Sequence, residues 1–379
     1  MKDICYDIWL QKVFINDPEK AYHIVSLFSS AKAFYEAREK LSGELSFLTD
    51  GDRKRLKSVS LKSAALAEEK CRLKNIEIIK SDSEYFPSSF EKIKNPPYLI
   101  YAFGNKELLK EGPVISVVGP RKADSEALLA AMHFSYDFAS VGITVCSGVA
   151  TGIDAAAIKG AIKADGKTIG IMACSLDVNY PAATRETKKE ILSSDGVLIS
   201  EYPPTERAYA SNFHPRNRLM SGIADAVLAV KAPERSGTLI TASHAAEQGK
   251  ELYVIPWSIY DKSAVGSNKL ILDGATPVFS SEEIFLPLVL KYPDKINIKK
   301  HNKNSINIFK KQGLGFKESE HAKIKKNPIL SSLERGPLSF DELSEKTEMG
   351  VSLLNAELIK LEIEGYLELE EDGKYSLKI

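Results

Sequence analysis

The sequence predicts an α/β protein with a doubly wound central sheet, a small all-helical domain before it and a winged helix after it. Between Pro113 and Phe279, the runs VISVVG, ITVCSG, TIGIMA, VLISE, DAVLAVKA and LYVIP are apolar almost throughout, as strands covered on both faces should be. The segments between them carry helical spacing, and strand–helix alternation of this kind builds a parallel sheet through right-handed crossovers. After Asn327 the order is helix, turn, helix, turn, longer helix and two strands about a DG turn, which is the order of a winged helix.

In chain order, residues 1–75 read as short helices: YDIWLQKVF, AYHIVSLFSSAKAFYEAREKL and LKSAALAEEKCRLKN repeat apolar residues every three or four positions, with breaks at Pro18 and LTDGD. This module is either a protein or DNA contact or an accessory bundle packed on the main domain. Residues 76–285 form the central domain, opening with strand-like runs joined through prolines that exclude a continuous helix. Residues 286–326 read as a basic linker, because 291–326 hold 11 Lys or Arg against 3 acids. Residues 327–379 form the winged helix, which has 5 basic and 12 acidic residues. A helix entering a DNA groove needs a basic footprint, so a protein-interaction or regulatory role is favoured there.

Composition sets outer limits. The 379 residues are 44% hydrophobic and 27% charged, ordinary for a soluble globular chain. The formal net charge is zero, so a polyanion would be held by local patches. Cys5, Cys71, Cys146 and Cys174 form no metal or redox spacing, which suits a reducing compartment. The opening MKDICYDIWLQ is not a signal peptide and no run is long enough to span a bilayer, so the expectation is a cytoplasmic protein without membrane association.

Ligands of doubly wound sheets collect beyond the carboxyl ends of the strands, where strand order reverses. The unusual residues concentrate there. Gly119 turns the chain after the first strand, followed by the cations Arg121 and Lys122. Ser147, Gly148, Thr151 and Gly152 make a small-residue loop after the second, with Asp154 at a cap or first-turn position. In NFHPRNR, Pro215 suits a first helical turn, placing Phe213, Arg216, Asn217 and Arg218 near it. DAVLAVKA, with Lys231 and then Arg235, runs into Ser236, Gly237 and Thr238 at a second helix start, where free N–H groups favour an anion. No GxGxxG in context, GxxxxGK[ST] or metal spacing is found, so no cofactor is expected. His214 suggests packing or base stacking before proton transfer. Glu201 has no carboxylate or histidine partner in sequence and suits holding loop N–H groups or an arginine. Cations, open amides and a ring suit one unpaired strand of nucleic acid.

Together VVGPRKADSEA, SGVATGIDAAAIKGA, YPAATRE, LISEYPP, FHPRNRLMSG, SGTLITASHAAEQGKELYVIP and GSNKLILDGA resemble the DNA-processing protein A (DprA or Smf) family, from about Tyr85 to Phe279. The resemblance implies an extended Rossmann-like domain that binds single-stranded DNA (ssDNA) as a homodimer and loads a RecA-type recombinase in natural transformation, without catalysis. It also implies a sterile-alpha-motif-like N-terminal domain. By resemblance the DNA contacts are Arg121, Phe213, Arg216, Asn217, Arg218 and the Ser236–Thr238 turn. Two positions depart from the family pattern: Thr151 stands where an arginine is usual, and Trp257 follows Pro256 where a glycine is usual. The alternative is a nucleotide enzyme of the lysine-decarboxylase-like phosphoribohydrolase class, but Thr238 is followed by Leu239 and Ile240 where that class has its catalytic acid.

Overall fold

Nearly continuous apolar runs do become strands buried on both faces. The computed structural model describes residues 2–41, 45–180, 182–204, 206, 209–301, 305, 327–333, 336–363, 366–370 and 373–377. It forms two compact units, residues 1–312 and 313–379.

In the first unit the strands are β1 (Glu77–Lys80), β2 (Leu99–Gly104), β3 (Val114–Val118), β4 (Thr144–Ser147), β5 (Thr168–Met172), β6 (Val197–Ser200), β7 (Ala226–Ala229), β8 (Glu251–Val254) and β9 (Thr276–Pro277). Their order across the sheet is β1-β2-β6-β5-β4-β3-β7-β8-β9. Neighbours from β6 to β9 are parallel, while β2 joins β6, and β1 joins β2, antiparallel. Strand order reverses between β3 and β7, which places the switch point beyond Val118 and Ala229. Helices α6 (Ser125–Ser140), α7 (Ile153–Lys163), α8 (Arg185–Ser193), α9 (Phe213–Ile223) and α10 (Gly237–Glu247) fall where the helical spacing predicts them. One core on the α6/α7 face includes Phe138, Val145 and Leu228; another, on the α9/α10 face, includes Ile171, Leu219 and Val227.

The N-terminal segment forms α1 (Ile4–Val13), α2 (Pro18–Phe28), α3 (Ala31–Leu41), α4 (Asp50–Ser58) and α5 (Leu61–Leu73). Ser29, at φ 65°, separates α2 from α3 within what the periodicity alone joins. LTDGD, read as a break, starts α4: Thr49 caps the Asp52 N–H and the Asp52 carboxylate accepts from the Thr49 N–H. These helices pack around Trp9, Phe14 and Phe34, and the same core takes in Tyr98 and Leu99 at the start of β2.

After β8 come α11 (Val265–Leu272) and α12 (Glu282–Lys291), the latter running into the start of the expected linker. The Asn297 N–H bonds Val141 O at 2.8 Å, so the chain is still docked there. The rest of the linker, 302–326 apart from Ser305, lies outside the described residues.

The second unit contains α13 (Pro328–Leu333), α14 (Phe340–Thr347), α15 (Val351–Ile363) and a hairpin of β10 (Leu367–Leu369) with β11 (Tyr375–Leu377). Leu330, Leu343, Leu354, Leu358 and Leu367 fill its core. This is a winged helix, so the α/β fold with a C-terminal winged helix agrees with the sequence.

Candidate nucleic-acid interface

A cleft of about 440 Å³ opens at the switch point, lined by Gly119 and Arg121 after β3, Asp154 of α7, Phe213, Arg216 and Asn217 of α9, and Ser236, Gly237 and Thr238 at the start of α10. The β3–α6 and β7–α10 connections therefore meet there, as the reversal of strand order requires.

The cleft offers two kinds of contact. The first is aromatic and cationic. The exposed Arg121 guanidinium stacks over the Phe213 ring, 4.3 Å from its centroid, and the Tyr180 ring lies 6.3 Å from Phe213. Tyr180 is 39% exposed, leaving ring surface for a base. The second is an anion corner. Gly237 opens the 11-residue α10 with no side-chain cap, and a Cβ there would meet nothing within 4 Å, so a ligand has room at the backbone. The hydroxyls of Ser236 and Thr238 are buried without a partner among the described residues, and Thr238 is 4% exposed. Buried hydroxyls ordinarily have a partner, and a phosphate at this helix start would supply one.

Other predicted residues build the floor. Arg216 is 4% exposed: its guanidinium donates to Gly148 O at 2.6 Å and to Ile171 O. A Cβ on Gly148 would come within 2.7 Å of that guanidinium and of Asp154 Oδ2, so a larger residue there would displace one of these buried groups. Burial pushes the Asp154 carboxyl above its ordinary pKa, against the pull of the Arg216 guanidinium. Burial likewise lowers Arg216. Asn217 ties α9 to α10 through a 3.3 Å bond to Gly237 O. Gly152 has φ 79°, and a Cβ there would lie 2.3 Å from Pro120 O. Val149 sits in the same loop at φ 52°, unusual for a β-branched residue and worth roughly 1–3 kcal/mol of strain.

Several expected contacts have other work. Arg218 does not line the cleft; its Nη2 donates to Glu201 Oε1 at 2.7 Å and Oε2 at 2.9 Å, both side chains buried. Glu201 thus holds an arginine, one of the two roles open to it in the sequence. Lys231, 2% exposed, bridges Asp124 and Asp261 beneath the Trp257 ring. Burial disfavours that ammonium, but its hydrogen bonds to the two carboxylates outweigh this and raise its pKa. Ser147 is fully buried and donates to Val117 O at 2.7 Å. Arg218, Lys231 and Ser147 are therefore internal, because each meets a partner inside the fold before it could reach a ligand. Lys122 and Thr151 are exposed but outside the cleft lining; the Thr151 hydroxyl points to Arg121 O at 3.4 Å. Tyr180 also lines the cleft, from the loop after β5, where nothing local in the sequence pairs it with Phe213. Among the described residues no cluster of His, Cys, Asp or Glu could hold a metal ion, and no helix is long and apolar enough to cross a membrane.

Residues 77–288 match the family model described as DNA recombination-mediator protein A. The chain belongs to that family. Residues 319–373 match the DprA winged helix domain. Among curated relatives, DNA processing protein DprA of Bacillus subtilis is 35% identical over 214 residues, covering 56% of this chain and 72% of the relative. Protein Smf of Synechocystis is 28% identical over 324 residues, 80% of each. The solved structure of DNA processing protein A from Streptococcus pneumoniae superposes with a TM-score of 0.65 at 26% identity, covering 76% of this chain and 98% of that one. That of DNA processing protein A from Helicobacter pylori, which concerns its single-stranded DNA binding mode, gives 0.52 at 27% identity, covering 57% and 97%. The recombination-mediator match spans the sheet and every residue of the switch-point cleft.

Proposed function

We propose that this chain binds single-stranded DNA in the switch-point cleft without chemical turnover and delivers it to a RecA-type recombinase. The observation that carries the reading is the pairing, within one cleft, of a ring platform (Phe213, Tyr180, Arg121) with an open helix start bearing two unpartnered hydroxyls. A base stacks on the first while its phosphate meets the second, and stacking is worth roughly 1–3 kcal/mol per base. The ssDNA binding of the Helicobacter pylori relative and the recombination-mediator description of the family support it. A duplex hides its base faces and has no use for the platform. Delivery to a recombinase is tested by filament assembly on ssDNA coated with single-stranded DNA-binding protein: the chain speeds assembly, and a Phe213→Ala variant as fast as wild type removes the cleft from that role.

The reading extends to a cytoplasmic homodimer. The four described cysteines are free and buried, which suits a reducing compartment. The sheet ends in the two-residue β9, and the segments that precede and follow it in sequence expose Leu272, Phe279 and Leu290, at 87%, 78% and 90%. A second copy covering this apolar edge accounts for its exposure. Mass measurement of wild type and Leu272→Glu tests it, with a monomeric wild type as the contrary result. The nucleotide-enzyme alternative lacks support at the geometric level: Asp154, a carboxyl in the cleft lining, is engaged by Arg216 and by the Ala150 N–H.

A further inference from the structure

The N-terminal helices and α9 belong to distant parts of the sequence but meet through a closed series of hydrogen bonds. Gln11 of α1 is 2% exposed. Its amide donates to Leu99 O at 2.8 Å and to Glu201 O at 3.0 Å, and its carbonyl accepts from the Tyr101 hydroxyl at 2.7 Å. The next residue, Lys12, pairs with Glu206 at 2.7 Å, in the loop that leads to α9. Glu201, held through its backbone, grips the Arg218 guanidinium with both carboxylate oxygens.

On its other side the same guanidinium donates from Nε to Asn95 O at 2.9 Å. Asn95 sits in a left-handed turn at φ 53°, and its N–H donates to Glu19 Oε1 of α2 at 2.9 Å. Arg218 is thus gripped from two loops, one anchored by α1 and the other by α2. Arg216 and Asn217, on the same helix, line the cleft, and Phe213 stands one turn earlier. Each residue step turns a helix by about 100°, so the grip on Arg218 sets the rotation at which α9 presents Phe213, Arg216 and Asn217.

We propose that the N-terminal helical module is a positioning element of the nucleic-acid cleft, with Gln11 and Glu19 as positioning residues that act through Arg218. This gives the module a role in ligand binding with no ligand contact of its own, and makes a partner that shifts α1 or α2 a regulator of the cleft. The inference rests on the ssDNA reading above for its ligand but not for its mechanics.

The test uses the full chain with Gln11→Leu, Glu19→Ala, which removes the acceptor of the Asn95 N–H, and the double variant. Glu19 is exposed, so Glu19→Ala keeps the fold even where Gln11→Leu does not. Affinity for an oligo-dT strand is measured across salt, and amide hydrogen exchange is followed in α9 and in β3. The expected result is binding weakened roughly threefold to thirtyfold for the double variant, a range typical of coupling through packed networks. The salt slope stays at the wild-type value because no phosphate partner is lost. Exchange in α9 speeds up while β3 stays protected; a merely stabilising module would speed both together or neither. Wild-type exchange in α9 in Glu19→Ala and in the folded double variant overturns the proposal. Should Phe213→Ala leave oligo-dT binding intact, the ligand reading fails, and the exchange comparison still decides the mechanical one.

Discussion

Replacing Glu201 by alanine removes the carboxylate from a guanidinium that the fold has taken out of water. The two side chains are 5% and 8% exposed, and the Glu201 oxygens lie 2.7 and 2.9 Å from Arg218 Nη2. Breaking a buried pair from one side costs about 3–5 kcal/mol, since the remaining charge stays uncompensated. Arg218→Met strands the carboxylate and also the carbonyls of Asn95 and Pro215, which accept from the guanidinium at 2.9 and 3.1 Å. The double variant Glu201→Ala with Arg218→Met leaves no buried charge, only those carbonyls, at about 1–3 kcal/mol each. The double should therefore cost several kcal/mol less than the sum of the singles. Urea unfolding followed by fluorescence and circular dichroism measures all four species. Single costs that add to within about 0.5 kcal/mol would refute the buried-pair account. The same variants separate structure from ligand contact: a phosphate contact at Arg218 would appear as a salt slope smaller by about 0.7, and none is expected.

Further consequences concern the cleft itself. Phe213→Ala should weaken ssDNA binding by about 1–3 kcal/mol with little change in salt slope, whereas Arg121→Ala should lower the slope by about 0.7; anisotropy titrations across salt distinguish the two. Thr238→Val keeps shape but removes the unpartnered hydroxyl, and should cost ssDNA affinity without lowering stability, as calorimetry alongside binding will show. Asp154 has a folded pKa raised above 3.8, so the stability it contributes is complete below that value and is lost as pH rises through the raised one. Protonation also frees Arg216 from a neighbouring negative charge, so affinity should rise as pH falls through the same window. Asp154→Asn should abolish that rise; an identical pH profile in the variant would contradict the assignment.

How much of this was legible beforehand depends on the kind of signal. Strands β3 to β8 announced themselves because burial on both faces leaves continuous apolar runs, and the alternation with helices implied the switch point and hence the cleft. Phe213, Arg216, Asn217 and the Ser236–Thr238 turn follow from helix-start chemistry, and the structure brings them together. Arg218 and Lys231 were misplaced for a common reason: a sequence shows that a residue is cationic, but not that Glu201, or Asp124 and Asp261, will fold against it. Neither Tyr180 beside Phe213 nor Gln11 beside Glu201 could be read, because each pairing joins distant segments and follows no local period. The two-residue β9 is too short to give an alternation signal.

The most direct measurement is a competition between single- and double-stranded oligonucleotides of equal length for wild type and Phe213→Ala at one salt concentration. Clear preference of wild type for the single strand, largely lost in Phe213→Ala, is the predicted result. Equal affinity for duplex, or a preference that survives the loss of the ring, would contradict the claim that this sheet edge holds unpaired bases.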